Sequence, residues 1–438
     1  MYLNMPEGAQ KILNLLSKEG YEGYLVGGCI RDFLLGKDAR DWDITTNAPI
    51  EDLINIFEKQ DVKVIPLGVK NGTIVIILKG DRYEITTFRK RSQPMYHNPL
   101  EEDLSLRDFT INAMAYHPSL GIIDYFGGKK DLKERVIRVI EEKKERLEED
   151  PLRILRAVRL SVELDFSISP KSMKELQVTK DLLKNISKER IREELNKILL
   201  CEQPSQAIRL LAELQLLDYI IPELKKTIGF DQRNPHHTKD IFEHTLAVLD
   251  NTSKDLILRL AALLHDIGKP DTFFIGKDKI GHFYNHQKVS MELGRKILKR
   301  LRYSKKTIDK VSILIKEHMF YAPSISSKGV RRFIHRIGTE NLERFFQLQR
   351  ADVLGAKTDN DLTYINQLEE KCKEILKQSP PLTIKDLNID GYDLIKIGVP
   401  QGPKMKKILE YLLNKVLENP ELNEKEKLME MVERRRND

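Results

Sequence analysis

Residues 27–45 read GGCIRDFLLGKDARDWDIT: a glycine pair, a short amphipathic run, and two aspartates separated by a single tryptophan. Asp41 and Asp43 stand at i and i+2, so on an extended segment both carboxylates leave the same face. Two like charges held that close call for a cation. Hard oxygen ligands of this kind suit Mg²⁺, which takes one or two carboxylates and fills its remaining positions with water and substrate phosphates. Gly27 and Gly28 let backbone amides approach a phosphate, IRDFLLG reads as a helix whose N-terminal end favours negative charge, and Arg31 on its first turn adds a charged donor. A DxD pair alone is also an ordinary solvated strand end. The whole set predicts a nucleotidyl-transfer site, with metals that activate a 3′-hydroxyl and offset charge on the leaving pyrophosphate.

Outward from this stretch, residues 1–135 mix β-rich runs (YLVGG, TIVIIL, YEITTF) with helical segments, which predicts an α+β head. From 136 onward strand signals nearly vanish. VIRVIEEKKERLEEDPLRILRAVRLSVEL, ISKERIREELNKILL and SQAIRLLAELQLL carry apolar residues at three and four spacing, which predicts an all-α body. Breaks at SISPKS (167–172), QRNPHH (232–237) and KQSPPLT (377–383) interrupt the pattern. The expected division is a head at 1–135, a helical neck at 136–228, a second helical domain at 229–376 and a tail at 377–438.

A chain of 438 residues is too long for one ordinary core, and 40% hydrophobic with 32% charged residues is normal for a globular protein. The formal charge of +7 is compatible with a nucleic-acid partner without demanding one. Cys29, Cys201 and Cys372 are odd in number and scattered, which excludes a disulfide framework or a CxxC metal site and points to a reducing compartment. The N-terminal stretch, with Ile12, Leu13, Leu15 and Leu16 at helical spacing, reads as a helix and not a signal. No apolar run approaches the roughly 20 residues of a bilayer span, so the expected location is the cytoplasm, with no membrane partner.

The pattern GGxxRDxLLGxxxxDxD resembles the signature of polymerase-β-like nucleotidyltransferases, in the class that holds bacterial tRNA nucleotidyltransferases and poly(A) polymerases. Further elements follow the same order. YEITTFR (83–89) matches the family's next strand, where Glu84 is either a third carboxylate near the metals or a strand surface residue. RDFTINA (107–113) matches the next, and the resemblance implies that Arg107 and Asp108 lie near the sugar and phosphates; the alternative for Arg107 is a helical or strand-end salt bridge to an acid. EDPLRILRAVR (149–159) matches the family's protein template, in which Asp150 and Arg153 pair with the edge of cytosine or adenine, and Arg156 and Arg159 contact the nucleotide or hold the template. That fits the chemistry, since a carboxylate accepts from an exocyclic amino group and a guanidinium donates to ring or carbonyl acceptors. Asp150-Pro151 also looks like a helix N-cap with proline at the first position. Positions 150, 153 and 156 are neighbours along one helix face. ISKERIREEL (186–195) is given a structural role.

A second element is LRLAALLHDIGKP (258–270), where an apolar helix ends in His265-Asp266 before Gly268 and Pro270. With His244 upstream and His286, His318 and Asp352 downstream, it resembles the HD phosphohydrolase superfamily. That implies an HD-like fold with a second divalent metal held by His244, His265, Asp266 and Asp352, able to hydrolyse a phosphate ester or a 2′,3′-cyclic phosphate. The alternative is an HD-derived module that only holds RNA. The tail at 382–417 resembles the C-terminal segment of HD-bearing nucleotidyltransferases, and Gly402 with Lys404 to Lys407 reads either as a grip on RNA phosphates or as a solvated helix end.

One departure stands out. The interval KRSQPMYHNPLEEDLSL (90–106) is shorter than the flexible loop of full CCA-adding relatives and lacks its DxxR-like element, and Leu106 replaces an arginine that often precedes RDF. In the family, such shortening accompanies enzymes that add two cytidines and leave the adenosine to a separate A-adding enzyme, because a truncated lever cannot reorient the template. The expected function is therefore a transferase in tRNA processing that binds the tRNA 3′ end and CTP, adding CC or, with ATP, full CCA, with Mg²⁺ as cofactor. The rival readings are a poly(A) polymerase, an HD phosphohydrolase acting on RNA ends, and a non-enzymatic RNA-binding protein.

Overall fold

A seven-stranded sheet organises the first part of the chain. Its strands are β1 (Gly23–Val26), β2 (Trp42–Thr46), β3 (Val64–Ile65), β4 (Thr73–Leu78), β5 (Asp81–Thr87), β6 (Met114–His117) and β7 (Gly121–Asp124). They lie in the order β3-β4-β5-β2-β1-β6-β7. Only β2 and β5 run parallel; every other pairing is antiparallel. The computed structural model describes residues 3, 5–39, 41–65, 72–90, 95–142, 144–233, 239–356 and 361–437. Residues 91–94 of the short interval and 234–237 of the QRNPHH break thus lie outside the described residues.

The sheet follows from its sequence. β1, with strands on both sides, is buried over all four residues of GYLV, as a central strand must be. β4 and β5 are joined by Lys79-Gly80, both with positive φ (55° and 90°), the two-residue turn whose twist matches that of the strands. Leu25, Ile44, Ile74, Ile76 and Ile85 are fully buried, each contributing about 1.5–3 kcal/mol. The helix Glu7–Lys18 adds Ile12, Leu13 and Leu16 to the buried set, the helical spacing read from the sequence.

Two compact units make up the chain, Met1–Glu194 and Leu195–Asp438. The first continues past the sheet into the helices Arg153–Leu164 and Pro170–Thr179 and the first half of Lys188–Leu199. Strands persist slightly beyond 136: Val136–Ile137 pairs with Ser167–Ile168, too few residues to leave a period in the sequence. In the second unit the helix Leu256–Leu264 is buried on every side from Leu258 to Leu264, as expected for an element apolar all round. The helices Ile241–Asp250, His286–Arg300, Lys305–Glu317 and Leu342–Gly355 pack around it. Among the described residues no helix is long and apolar enough to cross a membrane.

Candidate active site

β2 delivers the two acids of the opening stretch. Asp43 is paired with Val26 on β1 and with Glu84 on β5, so Asp43 and Glu84 project from one face of adjacent strands. Asp41 lies just ahead of β2 and is exposed. Burial raises the pKa of Asp43; Arg107 pulls it back, while Glu84 and Asp41 push it up again. Three carboxylates thus share one field. Gly27, at φ +83°, closes the other side: a Cβ there would lie 2.8 Å from Arg107 Nη1 and 3.6 Å from Asp43 Oδ2. No side chain fits between the turn and Arg107. The Arg107 side chain is largely covered, its buried Nε has no hydrogen-bond partner among the described residues, and burial followed by Arg89 lowers its pKa.

The remaining sequence-predicted groups divide. Arg31 is buried and donates from Nη1 to Asn112 at 2.9 Å and from Nε to Asp32 at 2.8 Å, with Gly28 directly beside its guanidinium. Asp108 accepts from Asn112 Nδ2 and from the Phe109 N–H, each at 2.9 Å. Asp103, inside the short interval, is fully buried. It accepts the N–H and Nε of Arg89 at 3.0 Å and Thr45 Oγ1 at 3.2 Å, and it lies 3.9 Å from Arg107. Burial raises its pKa, but Arg89 and Arg107 bring it below the usual carboxylate value. The interval is therefore anchored to β2, which carries Asp43 and Thr45, and to Arg89 just beyond β5.

The EDPLRILRAVR segment enters its helix at Arg153, with Asp150 in the preceding turn. The Asp150 carbonyl accepts the Arg153 N–H at 3.0 Å. Asp150 Oδ2 comes within 4.0 Å of Arg156 Nη1. Arg153 instead turns inward, donating from Nη2 to the Leu106 carbonyl at 2.9 Å and from Nη1 to the Arg146 carbonyl at 2.5 Å. It ties the helix to the peptide just before Arg107. Arg156 and Arg159 share one acid, the buried Glu194, with Nε contacts of 3.3 and 2.9 Å. Arg190 Nη2 reaches both oxygens of Asp150 at 2.9 and 3.1 Å.

In the second unit, six side chains from five separate stretches of chain meet. His244 Nε2 is 2.9 Å from Asp352 Oδ1 and 3.7 Å from Asp266 Oδ2; His265 Nε2 is 3.3 Å from Asp266 Oδ2 and 3.6 Å from Asp352 Oδ1. On the far side of Asp266, Oδ1 faces His286 Nε2 at 3.3 Å and His318 Nε2 at 3.8 Å, and those two nitrogens are 3.3 Å apart. The backbone carbonyls of Ala262, Phe283 and Ile315 lie 2.7–2.8 Å from the Nδ1 atoms of His265, His286 and His318. A carbonyl only accepts, so those Nδ1 atoms carry protons and the Nε2 lone pairs point inward at carboxylate oxygens. Acceptors facing acceptors need a cation. His265 Nε2 and Asp266 Oδ1, both buried, have no hydrogen-bond partner among the described residues, and Asp266 Oδ2 has the Lys269 ammonium as its nearest cation.

The electrostatics agree. Burial opposes charge on His265, yet Asp266 and Asp352 push its pKa up to about 10; burial and then His265 push His318 down to about 4. Two ligand triads, His244/His265/Asp266 and Asp266/His286/His318, share Asp266, so the donor set fits one or two divalent ions. Lys269 Nζ, 2.7 Å from Asp266, offsets part of the charge.

Three family models match parts of the chain. Residues 23–138 match the model of the poly(A) polymerase head domain, 165–228 that of the probable RNA- and SrmB-binding site of polymerase A, and 282–432 that of tRNA nucleotidyltransferase domain 2. A CCA-adding enzyme of Staphylococcus haemolyticus is 30% identical over 447 residues, spanning 97% of this chain and 96% of that protein. The chain belongs to the tRNA nucleotidyltransferase/poly(A) polymerase family. An A-adding tRNA nucleotidyltransferase of Deinococcus radiodurans is 32% identical over 89% of this chain and 90% of that one. The Bacillus stearothermophilus CCA-adding enzyme in complex with CTP superposes with a TM-score of 0.71 at 29% identity, covering 99% of this chain and 100% of that chain.

Within this family member, sequence reasoning left Glu194, Arg190 and Asp103 without chemical roles. Arg190 and Glu194 stand at i and i+4, with charges opposite to those of Asp150 and of Arg156, and that complementarity was the available signal. Asp103 carried none, because burial of an acid is a tertiary fact. His286 and His318 were visible only as downstream histidines. At the tail, Gly402 precedes the helix Pro403–Glu418, and Lys404, Lys406 and Lys407 are exposed at its start.

Proposed function

We propose that this chain extends the 3′ end of tRNA with cytidines from CTP, without a nucleic-acid template, using Mg²⁺ held by Asp41 and Asp43 with Glu84 beside them. The observation that supports this best is the register that puts Glu84 opposite Asp43, with Arg107 packed under the Gly27 turn. Mg²⁺ bound there would offset the charge of the triphosphate and of the departing pyrophosphate. The chain's own residues supply the rest. Gly27 and Gly28 keep the approach to the acids clear for phosphates. Arg107 adds a fixed positive charge behind Asp43, and Asp108 faces Arg156 at 3.8 Å. Asp150 accepts from the cytosine amino group while Arg190 holds its carboxylate from the other side; four lone-pair sites allow the sharing. Arg153 fixes the distance between that acid and the Arg107 segment.

The short interval at 90–106, without a DxxR element, supports addition that stops after CC and leaves the adenosine to a separate A-adding enzyme. A tRNA transcript ending in CC, given ATP and Mg²⁺, tests this directly. No extension is expected; efficient addition of one A would overturn the restriction and make full CCA the product. Growth beyond three residues would instead indicate a poly(A) polymerase.

A second reading is favoured by the inward-facing lone pairs around Asp266. We read this cluster as an HD-type divalent-metal centre that hydrolyses phosphate esters or 2′,3′-cyclic phosphates at RNA ends. Metal analysis of the purified chain tests it: metal retained by the native protein and lost in His265→Ala supports the centre, and its absence from the native protein sinks it.

A further inference from the structure

Beside the histidine cluster the chain presents a row of exposed rings. A hairpin, Phe274–Ile275 against Gly281–His282, sets Phe274 opposite His282. Alternation along the two strands puts Phe273 and Phe283 on one face and Phe274, His282 and Tyr284 on the other. The first pair is packed: Phe273 meets Phe230 edge-on at 5.3 Å and Phe283 at 5.5 Å. The second set faces solvent, with Phe274 43% and Tyr284 67% exposed.

These outward rings are already ordered. His282 and Tyr284 are nearly parallel, 14° apart at 5.5 Å; Phe274 stacks on His282 at 5.5 Å and lies 5.4 Å from Tyr284. Asp278 holds the His282 Nε2 at 3.0–3.1 Å. Gly281 lets the hairpin lie flat, since a Cβ there would sit 2.1 Å from the Gln232 carbonyl. Lys277 and Lys279 are exposed at the tip. Fixed, solvent-facing rings beside cations are what unpaired nucleic acid seeks, because every base has a face to stack and every linkage a charge to neutralise.

The platform is coupled to the cluster through one residue. Phe283, between His282 and Tyr284, offers its carbonyl to His286 Nδ1 at 2.8 Å, and its ring carries Lys269 Nζ 5.5 Å above it, the same ammonium that binds Asp266. A base stacked on Tyr284 is thus held two residues from a member of the cluster.

We propose that Phe274, His282 and Tyr284 form a stacking platform for the unpaired bases of an RNA 3′ end, presenting its terminal phosphate linkage to the Asp266 cluster. The proposal rests on the reading of that cluster as a metal centre. Three rings followed by two lysines exceed the footprint of one nucleotide, which favours an RNA end over a free nucleotide.

A single-stranded oligoribonucleotide with 4-thiouridine at its 3′ end, photo-crosslinked to the full chain and mapped by mass spectrometry, is the test. Crosslinks within residues 274–286 are expected, reduced roughly tenfold or more in Phe274→Ala/Tyr284→Ala and restored in Tyr284→Phe on the Phe274 background. Tyr284→Ala alone, at the more exposed position, provides the same readout if the double variant misfolds. Crosslinks absent from the hairpin, or unchanged in both variants, overturn the platform, as does equal displacement by CMP at matched concentration. Metal analysis of the same samples separates the two failures. Crosslinking to a metal-free chain leaves the platform and removes the metal centre; bound metal without hairpin crosslinks does the reverse.

Discussion

In the head, Asp43 stands opposite Glu84 on the neighbouring strand and feels the charge of the exposed Asp41, a set that offers oxygen alone, whereas in the body Asp266 is 1% exposed among imidazoles whose rings are fixed by main-chain carbonyls. The contrast separates two ways of using a cation. An open oxygen site is incomplete without substrate phosphates, so its ion arrives and leaves with the nucleotide. A buried site of histidines and aspartates has its own demand for positive charge, which raises the pKa of His265. The first is expected to couple metal to turnover and the second to couple metal to stability.

The largest effect that could break this contrast is in the head. Asp41→Ala should reduce nucleotide addition by roughly 10²–10⁴-fold, the rate equivalent of several kcal/mol of charge stabilisation, with the melting temperature little changed because Asp41 is exposed. Single-turnover extension of a trimmed tRNA measures it, and near-normal addition would remove Asp41 from the site. His265→Ala should leave addition intact.

Next comes stability in the body. Mn²⁺ at about a hundred times its dissociation constant should stabilise the native chain by about 2.7 kcal/mol, read from denaturant unfolding. Asp266→Asn should abolish that gain and Asp41→Ala should preserve it. If Asp41→Ala removed the gain instead, the stabilising ion would belong to the head and the contrast would fail.

The smallest effect concerns base choice. Arg190 is half-exposed and paired with Asp150, so Arg190→Ala should cost about two- to fivefold in CTP selectivity, the range of a solvent-exposed ion pair. Competition between CTP and UTP for one tRNA end gives the ratio, and Arg190→Lys should recover part of it. A loss far beyond this range would make Arg190 a direct reader of the base.

Much of the head was legible because its signals are local. Asp41 and Asp43 flank Trp42 at the start of β2, and Gly27 and Gly28 sit in the same contiguous motif. Glu84 was undecided in the sequence because its orientation depends on the parallel pairing of β2 with β5, which no local pattern encodes. Arg153 was expected to face a base beside Asp150, and its guanidinium lies against the Leu106 and Arg146 carbonyls, a contact 47 residues away in one case. In the body, the apolar run before His265 announced a central helix. The approach of His286 and His318 to Asp266 depended on how three helices pack, so spacing along the chain could not supply it.

The pairing of Asp43 with Glu84 also sets where this chain can change length. Side chains alternate along a strand, so one residue added between Asp81 and Glu84 would rotate Glu84 to the opposite face and leave Asp43 without its neighbour. Residues added ahead of Thr73 would leave that alternation untouched. Natural variation in length is therefore expected to accumulate before β4 and to be purged from the first half of β5.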